Sequence, residues 1–144
     1  MTIIQHVLET KGREVQTIDQ DASVFDALKL MAEHNIGSLV VLDDGNLAGI
    51  ITERLYAREV ALKGRTSPGT TVREIMTTKV ICARLDQSVE QCMAIMTVMG
   101  VRHLPVLEQG QLIGIVSIGD LVKSVIGDQK FIIEELENYI SGDR

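Results

Sequence analysis

Apolar residues recur along the chain both at helical spacing and in short continuous runs, and the two patterns alternate. Helical spacing occurs twice, at Val24, Ala27, Leu28 and Met31 and again at Val89, Cys92, Met93 and Met96. Each of these segments begins with a serine, Ser23 or Ser88, in a capping-box sequence. The pattern therefore predicts two amphipathic helices with defined starting points.

Apolar runs of strand length follow each predicted helix. They occupy residues 38–42 and 47–51 after the first helix, and 104–107 and 112–116 after the second. Polar segments containing Gly45 and Gly110 separate the two runs of each pair and predict hairpins. A short strand is also predicted at 15–18, and Thr52 and Ser117 are each predicted to begin a closing helix.

The second half of the chain repeats the first, without a gap, at an offset of roughly 65 residues. Residues 15–60 align with 80–125 and give about 13 identities in about 46 pairs, where chance gives roughly three. Each copy reads strand, helix, strand, strand, helix, which predicts an α/β (α+β) fold of two βαββα repeats. Two copies are too few for a solenoid, so we expect a pseudo-twofold pair that binds a ligand between its halves.

The repeat also predicts domain boundaries. Residues 63–71, which include Gly64, Pro68 and Gly69, have the composition of a linker. We expect a first repeat with an N-terminal helix at 1–66, and a second repeat with the linker and a C-terminal helix at 67–144. Apolar stripes at 2–11 and 130–140 predict the two terminal helices. Such stripes either complete the chain's own core or join two chains, and both interpretations stay open.

Composition restricts the classes of function. The 144 residues are 45% hydrophobic and 24% charged, as in a soluble globular domain, and the net charge of −6 disfavours a nucleic-acid binder. No apolar run could span a bilayer and no signal peptide is apparent, so we expect a cytoplasmic protein without membrane contact. Cys82 and Cys92 form no C-x-x-C pair and are expected to be packed thiols. The histidines lack metal-ligand spacing and no catalytic or phosphate-loop motif is present, so we expect neither a metal site nor an enzyme.

The junction between the last predicted strand and its closing helix carries the most specific motif. The sequence GIVSIGD at 114–120 resembles the G-h-x-[S/T]-x-x-D signature of cystathionine-β-synthase (CBS) domains, where h is apolar. RHLPV at 102–106 resembles that family's second-repeat pattern, and GIITER at 49–54 begins the signature in the first copy. The resemblance covers about residues 15–127 and implies a tandem CBS pair, or Bateman module, in a small stand-alone protein.

The resemblance implies an adenosine ligand, namely AMP, ADP, ATP or NAD(H), with S-adenosylmethionine less favoured. It implies that Asp120 accepts hydrogen bonds from the ribose hydroxyls and that Ser117 contacts the ribose or a phosphate. A carboxylate can accept from two neighbouring hydroxyls at once, and the start of a helix favours an anion. The same two residues also suit a simple helix cap, which is compatible with ligand contact.

The other ligand-binding residues also follow from the resemblance. Val80, Ile81 and Leu104 would line the adenine slot, Arg102 and His103 would lie at the phosphates, and Arg54 would reach in from the first copy. Thr52 and Pro105 complete the predicted set. Taken without the resemblance, Arg102 and His103 are better explained as solvated residues at the end of a strand.

The first copy departs from the signature, because Leu55 stands where Asp120 stands in the second copy. A leucine cannot replace the hydrogen bonds of a carboxylate, so we expect one principal adenosine site, in the second copy. The resemblance thus implies an adenine-nucleotide sensor that regulates an unidentified partner protein in trans, and we expect the chain to form a homodimer. The alternative is a structural or protein-interaction module whose nucleotide site is degenerate.

Overall fold

The structure is a computed structural model, and it describes residues 1–141. In chain order its elements are α1 (Ile4–Lys11), β1 (Thr17–Asp19), α2 (Val24–His34), β2 (Ser38–Asp43), β3 (Asn46–Thr52), α3 (Glu53–Tyr56), a π-helical turn (Ala57–Ala61), α4 (Val72–Ile75), α5 (Val89–Met99), β4 (His103–Glu108), β5 (Gln111–Ser117) and α6 (Ile118–Ser141). The mixed helix-and-strand class predicted from the sequence is confirmed.

The chain forms two compact units. The first-repeat unit is Glu14–Ile81, and the second-repeat unit joins Met1–Arg13 to the residues from Cys82 onward. This division differs from the predicted boundaries, because α1 belongs with the second copy and residues 67–81 belong with the first. Position in the sequence favours the opposite assignment, whereas hydrogen bonds and apolar side chains pair each segment with the other copy.

The first-repeat unit contains a three-stranded sheet. Strand β2 lies between β1, which is parallel to it, and β3, which is antiparallel. Helix α2 is capped at its start by Ser23, whose side chain accepts from the N–H of Asp26. At its end it is capped by Asn35, which has a left-handed backbone conformation. The buried core combines residues of α2, β2, β3, the π-helical turn and α4, and it consists of Val24, Ala27, Met31, Leu39, Val41, Ile51, Val60, Val72 and Ile75.

The second-repeat unit contains a two-stranded sheet, β4 with β5. The strand predicted at the start of this copy is reduced to a single bridge between Ala83 and Val106. In the first copy, the N–H of Val40 donates to Gln16 and extends the β1–β2 pairing. Pro105 occupies the equivalent position in the second copy and has no N–H, so the same bond cannot form.

Helix α1 is built into the second-repeat unit. The N–H groups of Ile4 and Gln5 donate to the carbonyls of Gln87 and Leu85, at 2.9 and 3.0 Å. Ile4 and Leu8 are fully buried, and α1 contacts both β5 and α6. A helix this short is not stable alone in water, so its apolar face gains its stability by packing here.

The residues predicted as a linker are ordered against the first-repeat unit. The N–H of Val24 donates to Thr70 and the N–H of Val72 donates to Ala22, both at 2.8 Å. The short helix α4, which the sequence analysis did not predict, buries Val72 and Ile75 in the core of this unit. The segment is therefore a structural part of the first copy.

Helix α6 is one continuous helix of 24 residues, where the sequence predicted a closing helix and a separate terminal helix. Gly127 does not interrupt it, and Thr2 donates to Asp128 at 2.8 Å beside that glycine. The last turns expose apolar side chains at Phe131, Ile132, Ile133, Leu136, Tyr139 and Ile140. We call these six residues the apolar face of α6.

Within residues 1–141, the structure has neither a helix that could cross a membrane nor a disulfide. Among residues 1–141, no helix combines the length and apolar character that crossing a membrane requires. Cys82 and Cys92 are not joined in a disulfide, and burial raises the pKa of both thiols, so both are protonated at neutral pH.

Candidate functional site

The junction between β5 and α6 holds the two central residues of the predicted site. The N–H of Asp120 donates to Oγ of Ser117 at 3.1 Å, and the N–H of Ser117 donates to Oδ2 of Asp120 at 2.8 Å. These reciprocal bonds form a helix cap in which aspartate takes the place that glutamate usually has. Both side chains therefore lie at the N-terminal end of α6, where the helix dipole favours negative charge.

A third residue joins this junction from α1. The ammonium of Lys11 lies 2.6 Å from Oδ2 of Asp120 and also donates to the carbonyl oxygen of Ile115 at 2.8 Å. Lys11 and Asp120 are 109 residues apart in sequence. Lys11 could not be predicted as a site residue from the sequence, since nothing in the repeat connects the end of the N-terminal helix with the second copy.

The pKa of Asp120 is lowered by these contacts. Burial opposes ionisation more strongly than any other single influence acts on this carboxyl. The hydrogen bond and charge of Lys11, together with the two bonds to Ser117, outweigh burial. Asp120 is therefore a carboxylate at neutral pH and can accept hydrogen bonds but cannot donate them.

His103 lies at the start of β4, directly opposite Ser117 on β5. Burial lowers its pKa; Asp120 acts in the opposite direction, and Lys11 and Arg102 reinforce the lowering. The imidazole is therefore mostly neutral at pH 7. The resemblance placed His103 at the phosphates, and in this protonation state it would contact them by a hydrogen bond rather than by its charge.

The remaining predicted residues in and just before β4 differ in exposure. Arg102 is exposed, and its carbonyl accepts from the N–H of Ile118 at 2.9 Å, which fixes the start of α6 against β4. Leu104 and Pro105 are buried. The structure thus brings six predicted site residues together on adjoining elements of the second-repeat unit, namely Arg102, His103, Leu104, Pro105, Ser117 and Asp120.

The other four predicted residues belong to the first-repeat unit. Thr52 caps α3 by accepting from the N–H of Leu55 at 3.1 Å, and Arg54 is exposed on the same helix. Val80 and Ile81 are half-buried at the end of the unit. Leu55 packs against the apolar core, so the first copy has no carboxylate where Asp120 stands in the second.

The chain belongs to the CBS domain family, whose model matches residues 10–61 and 72–127. A mitochondrial CBS domain-containing protein of Arabidopsis thaliana, CBSX3, is 39% identical over 98% of this chain and 73% of its own length. A solved CBS-domain protein from Burkholderia ambifaria is 52% identical, covers 89% of this chain and 96% of its own, and superposes with a TM-score of 0.86.

A further solved structure was determined with ligands. The CBS domain pair of protein MJ0100, in complex with 5′-methylthioadenosine and S-adenosyl-L-methionine, is 28% identical and has a TM-score of 0.78. The match covers 89% of this chain and 98% of that one. CBS pair modules typically bind adenosine-containing ligands and regulate partner proteins, and the stand-alone pairs are regulatory modules rather than enzymes.

Proposed function

We propose that this protein is a regulatory module that binds an adenine nucleotide at the junction of β5 and α6 and acts in trans on a partner protein. The observation that carries the proposal is Asp120, a carboxylate held ionised at the start of α6 by Lys11 and Ser117. An acceptor fixed in this way suits the hydroxyls of a ribose. AMP, ADP, ATP and NAD(H) are the proposed ligands, with S-adenosylmethionine less favoured.

The nearby groups support a phosphorylated ligand. Arg102 is exposed beside the junction, and a guanidinium matches phosphate oxygens through paired donors. Thr52, Arg54, Val80 and Ile81 stay proposed contacts from the first-repeat unit. Because Leu55 leaves the first copy without the acceptor, we propose a single principal nucleotide site.

Thermal denaturation with AMP, ADP, ATP, NAD and S-adenosylmethionine tests the proposal. A ligand at ~100 times its dissociation constant adds about 2.7 kcal/mol, which raises Tm by several degrees. We expect such a shift with at least one phosphorylated ligand, and its loss in Asp120→Ala. Asp21→Ala is the matched control, since it also removes a carboxylate from an ion pair, with Arg73, but in the first-repeat unit.

The alternative function is a protein-interaction module with a degenerate nucleotide site. The apolar face of α6 favours it, because six large apolar side chains are exposed over the last turns of this helix. We propose that this face joins two copies into a homodimer, which is compatible with nucleotide binding. Sedimentation of wild type and Leu136→Glu tests the dimer, and a monomeric wild type would exclude it.

Absence of any thermal shift, in protein freed of copurified nucleotide, would favour the interaction module over the sensor. We also propose that the protein is not an enzyme. Reproducible turnover of AMP, ATP or NAD that Asp120→Ala abolishes would show that this part of the proposal is wrong.

A further inference from the structure

Lys11 is held at the candidate site by two acceptors from different elements. Its ammonium donates to the carbonyl of Ile115 on β5 and to Oδ2 of Asp120 on α6, at 2.8 and 2.6 Å. An ammonium carries three N–H donors, and the third has no acceptor within residues 1–141. The position of the charge is thus fixed while one donor is available to a ligand.

The carboxylate of Asp120 is only partly used. Both of its hydrogen bonds within the described chain fall on Oδ2, one from Lys11 and one from the N–H of Ser117. Oδ1 receives none, and because residues 1–141 contain no buried side-chain oxygen without a partner, Oδ1 is accessible to solvent. The side chains of Lys11 and Asp120 are 31% and 19% exposed. The pair therefore presents an unused acceptor close to an unused donor.

A vicinal diol matches this arrangement. Each hydroxyl has one donor and accepts through its lone pairs, so one hydroxyl can donate to the carboxylate while its neighbour accepts from the ammonium. A carboxylate alone offers only acceptors. The lysine also neutralises the negative charge of Asp120, which would otherwise repel the phosphate attached to the same ribose.

We propose that Lys11 is a specificity-determining residue that, together with Asp120, recognises the ribose diol of the ligand. Oδ1 of Asp120 accepts from one hydroxyl, and the third N–H of Lys11 donates to the other. The site therefore selects ribonucleotides over nucleotides that lack these hydroxyls. This inference rests on the proposed function, because it requires the adenosine ligand to lie at the junction of β5 and α6.

Calorimetric titration with AMP and with 2′,3′-dideoxy-AMP tests the inference. In wild type we expect AMP to bind more tightly than the dideoxy analogue. Lys11→Met keeps the length of the side chain but removes its donors and charge, and we expect it to weaken AMP binding about tenfold. In the same variant, the dideoxy analogue loses only its attraction to the charge of the lysine, in a solvated site. We therefore expect its binding to weaken about twofold.

Two further variants separate recognition from general electrostatics. Lys11→Arg keeps the charge and its donors and should restore most of the preference for AMP. Lys63→Met removes an equally short surface ion pair, with Glu59 at 2.5 Å in the first-repeat unit, and should bind as wild type does. Circular dichroism of each variant establishes that the fold is intact.

The outcomes distinguish this inference from the proposed function. If wild type binds AMP and Lys11→Met retains the same preference over dideoxy-AMP, the inference is wrong and the proposed function stands. If wild type does not bind AMP but binds ADP, ATP or NAD, the inference as stated also fails. If wild type binds none of the four, both proposals fail together.

Discussion

The two copies build the same junction between strand and closing helix but complete it with different groups. Thr52 and Ser117 cap their helices identically, each hydroxyl accepting a backbone N–H at 3.1 Å. The position three residues later is Leu55 in the first copy and Asp120 in the second. The first copy packs this side chain against its core, whereas the second holds it as a carboxylate paired with Lys11.

The edge strands beside these junctions show the same contrast. In the first copy, Ile50 exchanges two backbone hydrogen bonds with Thr77, at 3.0 and 2.9 Å. In the second copy, the equivalent carbonyl of Ile115 accepts from the side chain of Lys11. Helix α1 has 8 residues and is a full turn longer than α4, which has 4. The additional turn of α1 carries Lys11. The copies thus differ in chemistry through one substitution within the repeat, Leu55 for Asp120, and through a helix outside it, which carries Lys11.

Replacing the equivalent glycines of the two edge strands by alanine should give the largest difference in stability between the two copies. A Cβ at Gly49 would lie 2.6 Å from the carbonyl oxygen of Thr77, whereas one at Gly114 would meet the methyl ends of Leu8, at 2.9 and 3.0 Å. Because backbone yields less than a leucine side chain, we expect Gly49→Ala to cost about 3 kcal/mol and Gly114→Ala about 1 kcal/mol. Urea denaturation measures both, and equal losses would contradict this reading of the two edges.

Replacing Leu55 by aspartate makes the first copy resemble the second in sequence. The new carboxylate would lie half-buried against apolar side chains without a lysine such as Lys11, so we expect a loss of about 2 kcal/mol. We also expect no new nucleotide site. Leu55→Ala, the control, removes the packing without adding charge. A Leu55→Asp variant that is as stable as Leu55→Ala, or that binds a second nucleotide, would show that no lysine is needed.

The two capping hydroxyls should contribute equally to folding stability but unequally to nucleotide binding. Thr52→Ala and Ser117→Ala each remove one helix cap, and we expect each to cost about 1 kcal/mol in thermal denaturation. Ser117→Ala should weaken nucleotide binding more strongly than Thr52→Ala, because only Ser117 lies beside Asp120, the principal acceptor. Equal weakening by the two variants would instead place both junctions at the ligand.

The last comparison concerns the dependence of folding stability on pH. The pKa of His103 is lowered in the folded chain, first by burial, so below pH ~6.5 the unfolded chain binds the proton more readily. Folding stability should therefore fall as pH drops from 6.5 toward the folded pKa, by at most about 1.4 kcal/mol per pH unit. The first copy has Ser38 at the equivalent position, and His103→Ser should flatten this part of the profile.

Urea denaturation between pH 7 and pH 5 measures the effect. The charged groups around the imidazole are Asp120, Lys11 and Arg102, and none of them is changed in this variant. If His103→Ser keeps the slope of wild type, the pH dependence arises elsewhere.

Much of the fold could be predicted from the sequence because local rules determine it. Capping residues fixed the first residues of α2 and α5, and glycine-containing turns fixed both hairpins. The alignment of the copies also identified Leu55 as the departure from the signature. These features depend on residues close together in the chain, where spacing carries the information.

The remaining features depend on contacts between distant residues. The pairing of α1 with the second copy and of α4 with the first follows from which apolar faces fit together, and spacing does not encode that choice. Lys11 was missed for the same reason. The loss of the first strand in the second copy was readable in principle, because Pro105 cannot donate in a central position of a sheet.

The second-repeat unit is discontinuous in sequence, which has a consequence for its synthesis. Residues 1–13 leave the ribosome before the whole first-repeat unit, but their packing partners on β5 and α6 are made last. The first-repeat unit contains all of its own strands, so it can fold before β5 and α6 are synthesised. During that time α1 has no packing partner. A substitution that weakens the packing of α1 would therefore perturb the completion of the second copy and leave the first copy, which lies next to α1 in the sequence, intact.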